Sequence, residues 1–210
     1  MALVLYDHPA SSNALKVRFL LAELGLEYER VHVSMRYPRP DWYVERNPFG
    51  RIPLLEDGEL RVAESNAILR YVAGREGRTD LYPSDPAGRV PVDWALDAWS
   101  TMVRPALQPA EHVGLFYTEE EGAVGDPAGA DQDALAEAAK AAHGPLALFE
   151  RFVADNGTVL GTFTIADCAV APVLWRSQRL PIDFGPWPKL ARLRETVAAR
   201  PGFSAAGPVA

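Results

Sequence analysis

The sequence predicts a two-part chain, an α/β half followed by an all-helical half, and three observations carry that prediction. Strand-like and helix-like hydrophobic patterns alternate over the first 78 residues, and strand signals largely vanish after about residue 80. Between the two patterns lies Leu81-Tyr82-Pro83-Ser84-Asp85-Pro86. Its two prolines remove backbone donors and disfavour helix just before them, so it reads as a linker. At 210 residues the chain suits two modest domains. The expected division is 1–78, a linker at 79–86, and 87–210.

Each element follows from its local pattern. Leu3 to Tyr6 is a short apolar run stopped by Asp7-His8-Pro9, and so a strand. Val17, Leu20, Leu21 and Leu24 then recur at i, i+3, i+4 and i+7 and stop at Gly25, which is a helix with its end. Tyr28 to Val33 alternates apolar and polar side chains, as a strand with one buried face does. A strand, a crossover helix and a second strand imply a βαβ unit with parallel strands. Ile52 to Glu56 and Glu59 to Val62, joined at Asp57-Gly58, read as an antiparallel hairpin. A helix carrying Ile68, Tyr71 and Val72 closes the half. The order βαβ then ββα is the thioredoxin-like arrangement.

Beyond the linker come helical segments marked by Trp94, Ala98 and Met102; by Leu135, Ala139, Ala142 and Leu146; by Ala166 to Trp175; and by Leu190, Leu193 and Val197, ended by Arg200-Pro201-Gly202. Glu119-Glu120-Glu121-Gly122 through Asp131, rich in acid, Gly and Ala, reads as a mobile surface loop, with an acidic interaction patch as the alternative.

Composition narrows the function. The formal net charge of -7 and the scattered basic residues argue against a nucleic-acid partner. No apolar run approaches the roughly 20 residues that span a bilayer, and the start lacks a basic, cleavable leader, so a cytosolic protein without membrane attachment is expected. Cys168 is the single cysteine, which excludes disulfide frameworks and C-x-x-C pairs. The four histidines show no ligand spacing, and no metal is expected.

Three segments carry chemistry. In the turn Asp7-His8-Pro9-Ala10-Ser11-Ser12-Asn13, hydroxyls lie beside helix N–H groups, where an anion such as a thiolate is stabilised; capping of the helix explains the same residues. In Asn47-Pro48-Phe49-Gly50-Arg51-Ile52-Pro53, a proline at a strand start leaves the main chain of Ile52 free for an extended peptide, and a plain edge strand is the alternative. At Ala63-Glu64-Ser65-Asn66, Glu64 caps a helix while Ser65 and adjacent N–H groups form a carboxylate receptor, and capping alone explains the same residues.

Together, in this order and spacing, these segments resemble the N-terminal half of cytosolic glutathione transferases, in the serine-type, phi-like and bacterial forms. Leu55-Glu56-Asp57-Gly58 belongs to the same likeness. Thr164-Ile165-Ala166-Asp167 resembles the family's buried capping box, and Arg200-Pro201-Gly202-Phe203 its ending. The resemblance implies glutathione as co-substrate, with Ser11 activating its thiol and Ser12 or Tyr6 as alternatives. It further implies Ile52 and the cis-proline Pro53 along the cysteinyl part, Glu64 and Ser65 at the γ-glutamyl end, and Arg51 and Arg39 toward the glycine carboxylate. The helical half would supply the pocket for a small hydrophobic electrophile, with Trp99, Phe116 and Tyr117 as candidate lining aromatics and core packing as the alternative for each. A homodimer is implied too, Phe49 being a possible anchor. Asp167 to Arg176 is also similar to a stretch of stringent starvation protein A, a non-catalytic, transferase-like regulator that binds RNA polymerase, which is the alternative function.

Overall fold

The computed structural model describes residues 2–116 and 124–208. Strand β1 (Leu3–Asp7) pairs in parallel with β2 (Tyr28–His32), Leu5 lying opposite Arg30, and antiparallel with β3 (Leu54–Asp57), Leu5 lying opposite Leu55. Strand β4 (Leu60–Ala63) completes the hairpin, and the sheet order is β2-β1-β3-β4. Asp57 pairs with Leu60, so the two turn residues are Gly58 and Glu59, one position later than expected. Gly58 takes φ +63°, a conformation that costs a residue without Cβ nothing.

Helix α1 (Ser12–Glu23) crosses between β1 and β2, and Gly25 at φ +63° follows its end. A single turn, α2 (Asp41–Val44), precedes β3, and α3 (Ser65–Arg75) follows β4. Ile68 and Val72 of α3 are fully buried, while the Tyr71 hydroxyl donates to Asp57 at 2.7 Å. Helix α1 packs on α3 of its own half and on α8 (Ile165–Arg176) of the helical half. One continuous apolar core therefore runs from Leu5 and Leu20 to Leu96, Trp99 and Val170.

In the helical half, α4 (Pro86–Ala98) is capped by Asp85, whose carboxylate accepts the Gly88 N–H at 2.8 Å. A π turn at Trp99–Val103 joins it to α5 (Arg104–Leu115). The remaining helices are α6 (Gln132–Ala141), α7 (His143–Phe149), α9 (Pro188–Ala198) and α10 (Pro201–Ala205). The stripes of α6, α7 and α9 are buried as their spacing predicts. The stripe Trp94, Ala98, Met102 is not: Trp94 is 65% and Met102 58% exposed, and Val92, Leu96, Trp99 and Val103 face the core instead.

At the start of α8 the sequence reading holds in detail. The Thr164 hydroxyl accepts the Ala166 N–H at 3.2 Å, and Asp167 accepts the N–H groups of Thr164 and Val159, each at 2.8 Å. Burial raises the Asp167 carboxyl from 3.8 to about 7 against the pull of those hydrogen bonds. Of the expected acidic loop, Glu119 to Gly122 lie outside the described residues; Asp126 caps a short 3₁₀ turn and Asp131 caps α6.

Candidate functional site

The turn before α1 is held from several directions. Ser11 is the N-cap: its Oγ accepts the Ala14 N–H at 3.2 Å, and its own N–H bonds to the His8 carbonyl at 2.9 Å. The hydroxyl proton of Ser11 is thereby left to donate elsewhere. The Pro9 carbonyl accepts Arg18 Nη2 at 3.1 Å, and the Ala10 carbonyl accepts Arg176 Nη2 at 3.0 Å. Both guanidiniums are 2% exposed. Arg18 also donates to the Ala206 carbonyl at 2.9 Å, so the end of the chain and α8 both brace the turn.

Facing that turn is a polar cavity of about 270 Å³, lined by Asn13, Arg51, Ile52, Pro53, Glu64 and Ser65. Its β3 wall is built by a locked loop. Tyr43 Oη and Asn47 Nδ2 donate to the Arg51 carbonyl at 2.5 and 2.7 Å, and Gly50 bonds back to Asn47 at 2.8 Å. The Ile52–Pro53 bond is cis. Among the described residues, the Ile52 N–H and C=O have no hydrogen-bond partner, so this stretch of backbone presents a donor and an acceptor.

The opposite wall is the start of α3. Glu64 occupies the N-cap position with φ 68° and ψ 118° and makes no side-chain cap bond, contrary to the expectation that it caps the helix. The positive φ of a residue bearing Cβ costs about 1–3 kcal/mol, and such strain concentrates at binding sites. Because the N-cap side chain makes no bond to α3, the first N–H groups of the helix keep their partial positive charge for an anion. Behind this wall the Asn66 amide donates to Ser100 Oγ at 2.9 Å, tying α3 to the π turn.

The sequence-predicted residues are thus partly brought together. Arg51, Ile52, Pro53, Glu64 and Ser65 share one cavity. Ser11 (9% exposed) and Ser12 (6%) sit at the start of α1 but do not line it, whereas Asn13 does. Arg39 is elsewhere: its guanidinium donates to the carbonyls of Gly50, Ser34 and Arg36 and so holds the loop together. The Tyr6 hydroxyl donates to Glu56 at 2.7 Å and accepts Arg46 Nε at 3.2 Å, with its ring packed among Tyr43, Ile52 and Leu54. Burial and the Glu56 bond raise its pKa.

The three aromatics considered for the electrophile pocket fall in different places. Trp99 is fully buried and packs edge-on against Phe149 at 5.0 Å, which makes it a core residue. Tyr117 lies outside the described residues. Phe116 is half-buried under Arg176, 5.0 Å from ring centre to guanidinium carbon. A separate apolar cavity of about 700 Å³ opens between α4 and α7, where its walls include Pro91, Trp94, Met102, Leu148 and Phe152.

Comparison with known proteins decides the family. The model described as "Glutathione S-transferase, N-terminal domain" matches residues 1–74, and its C-terminal counterpart matches residues 97–201. The chain belongs to the cytosolic glutathione transferase superfamily. Glutathione S-transferase GstB of Escherichia coli (strain K12) is 30% identical over 208 residues, covering 95% of this chain and 94% of that protein. A maleylacetoacetate isomerase of Rhizobium meliloti (strain 1021) is 31% identical, covering 98% of this chain and 95% of the isomerase. In fold, the theta class glutathione S-transferase of Xanthomonas axonopodis pv. citri, solved with glutathione bound, superposes with a TM-score of 0.85 at 24% identity, covering 100% of this chain and 98% of that one. No described helix of this transferase-family chain is long and apolar enough to cross a membrane.

Proposed function

We propose that this protein is a glutathione transferase that binds glutathione in the cavity between β3 and α3, stabilises its thiolate beside Ser11, and presents it to a small hydrophobic electrophile. The observation that carries this reading is the convergence in one cavity of an unpaired peptide backbone at Ile52, an uncapped helix start at Ser65 and the cation of Arg51. An extended peptide with a carboxylate at each end finds a complementary group at every part. The cysteinyl main chain pairs with Ile52 as an added strand, the γ-glutamyl carboxylate meets the α3 N–H groups, and Arg51 meets the glycine carboxylate.

The sulfur then lies toward the start of α1. Ser11 donates to it, and the positive end of the helix favours its charged form, so the nucleophile is produced near neutral pH. The serine attacks nothing and forms no covalent intermediate. Phe116, adjoining the Arg176 that holds Ala10, is the aromatic best placed to border the electrophile. The domain division proposed is 1–78 for glutathione and 87–210 for the second substrate. The protein acts in the cytosol as a homodimer. Phe49 is 83% exposed at the edge of the locked loop and supplies an apolar anchor, and the cavity between α4 and α7 is the receptor on the second copy.

The reading is tested by turnover of glutathione with a chromogenic aryl halide. Ser11→Ala lowers kcat/KM about a hundredfold, by removing one donor to the developing and resting thiolate. Turnover equal to wild type contradicts it. Retention on immobilised RNA polymerase, with none on immobilised glutathione, favours the regulator instead.

A further inference from the structure

Lys16 lies on α1 among the apolar side chains that face the core, yet it carries a charge. Its side chain is 3% exposed. Its ammonium has one hydrogen bond, a long one of 3.5 Å to Ser65 Oγ, and Ser65 in turn faces Asn13 Oδ1 at 3.5 Å. Ser65 and Asn13 both line the polar cavity, so Lys16 sits one layer behind its wall. Among the described residues no carboxylate comes within 4 Å of Nζ, although an isolated buried cation is costly. Burial and the nearby Arg104 guanidinium lower its pKa from 10.5 to about 7, and Glu64 offsets this only in part.

The charged groups on the surrounding elements are already committed. Arg104 of α5 pairs with Glu111 at 2.5 Å. Arg176 of α8 is held by Glu111 and the Ala10 carbonyl, and Asp167 of α8 accepts backbone N–H groups. Arg200, just before α10, pairs with Glu23 of α1, and Asp7 of β1 pairs with Arg30. Among the described residues, only Glu64, at the start of α3, turns negative charge toward Lys16.

We propose that Lys16 is a positioning residue for ligand capture: its ammonium is the counter-charge to the carboxylate received at the N-terminus of α3, and binding that carboxylate takes up a proton. This rests on the assignment of the cavity to glutathione. A carboxylate at the Ser65 N–H groups supplies the partner the ammonium lacks, at short range and away from bulk water. The protonated form of Lys16 then gains relative to the neutral one, so its pKa rises on binding. The sign follows by linkage. Below about pH 7 Lys16 is already charged, and binding has full strength with no proton exchange. Above pH 7 the free protein has lost the proton that the complex keeps, so each further unit of pH weakens binding and binding takes a proton from buffer. No bond is made or broken; the proton comes from buffer and resides on Nζ.

The test is calorimetric titration with S-methylglutathione, which keeps both carboxylates and has no ionisable thiol. Measured at pH 7.5 in two buffers of different ionisation enthalpy, wild type takes up roughly 0.5–1 proton, and Kd weakens about tenfold between pH 6.5 and 8.5. Lys16→Arg stays charged, takes up no proton and holds its affinity across that range. Lys16→Met binds about tenfold more weakly at pH 6.5 and is also flat with pH. Wild-type binding without proton uptake overturns the proposal and leaves the glutathione site standing, as does a pH slope that persists in either folded variant. Absence of S-methylglutathione binding at every pH removes the site itself, and Lys16 with it.

Discussion

Ser11, Asn13 and Lys16 fall within six consecutive positions, and the sequence made them unequally readable. A serine after a strand and before a helix announces a cap, and Ser11 is one. Asn13 reads as another capping residue, although its side chain reaches the cavity; only three-dimensional placement separates the two roles. Lys16 is hidden by its neighbours, because a single lysine within an apolar stripe normally snorkels to solvent. Arg39 and Arg51 flank the same loop, yet one holds carbonyls and the other borders the cavity, a distinction decided by how the loop folds around Gly50 at φ +59°. Arg176 is another residue whose work the sequence did not disclose, since it acts 166 positions away on the Ala10 carbonyl. Its partner Glu111 is fully buried. Arg176→Ala leaves that carboxylate with Arg104 alone and is expected to cost about 3–5 kcal/mol in chemical denaturation. Arg176→Met combined with Glu111→Gln, which removes both charges, is expected to cost clearly less. Equal costs would show that the charge pairing is not what the buried arginine supplies.

Helix α8 illustrates how much an element's own pattern can carry. Thr164-Ile165-Ala166-Asp167 followed by an apolar run dictates a capped, buried helix, and the caps are found as expected. Asp167 adds a pH dependence. Its folded pKa of about 7 lies above the ordinary 3.8, so the folded protein holds a proton that the unfolded chain gives up first. The stability this group contributes is complete below about pH 4 and is lost as pH rises through 7. Asp167→Asn cannot ionise and gives up one acceptor, so the unfolding free energy from chemical denaturation should fall by about 1–2 kcal/mol near pH 5 and vary less between pH 5 and 8. A pH profile parallel to wild type would contradict the assignment. Helix α4 shows the opposite case. Trp94, Ala98 and Met102 share one face, as helical spacing requires, but spacing alone does not say which face a helix buries. Trp99, one position further, takes the core instead, the packing role that was the alternative to lining the pocket.

The whole molecule was legible in outline, because binary patterning changes character near residue 80 and the βαβ-ββα order has few ways to pack. What the pattern could not supply was the union of the two halves. A single core passes through α1 and α8, and the turn carrying Ser11 is braced by Arg176 from the helical half and by carbonyls at the end of the chain through Arg18. Such contacts between distant segments leave no periodic trace. Assembly belongs to the same level. Phe49 stands exposed, and the apolar cavity between α4 and α7 is rimmed by exposed Trp94, Met102 and Leu148. Phe49→Glu should convert the proposed dimer into a monomer at micromolar concentration in sedimentation velocity, with the fold intact by circular dichroism; an unchanged sedimentation coefficient would contradict this interface. The central claim is that glutathione loses its thiol proton beside Ser11. It is tested most directly by titrating the thiolate absorbance of bound glutathione with pH. The account predicts a bound thiol at least one unit below the free value of about 8.5 in wild type, returning toward that value in Ser11→Ala. An unshifted thiol in the wild-type complex, or a lowered one that Ser11→Ala leaves in place, would contradict it.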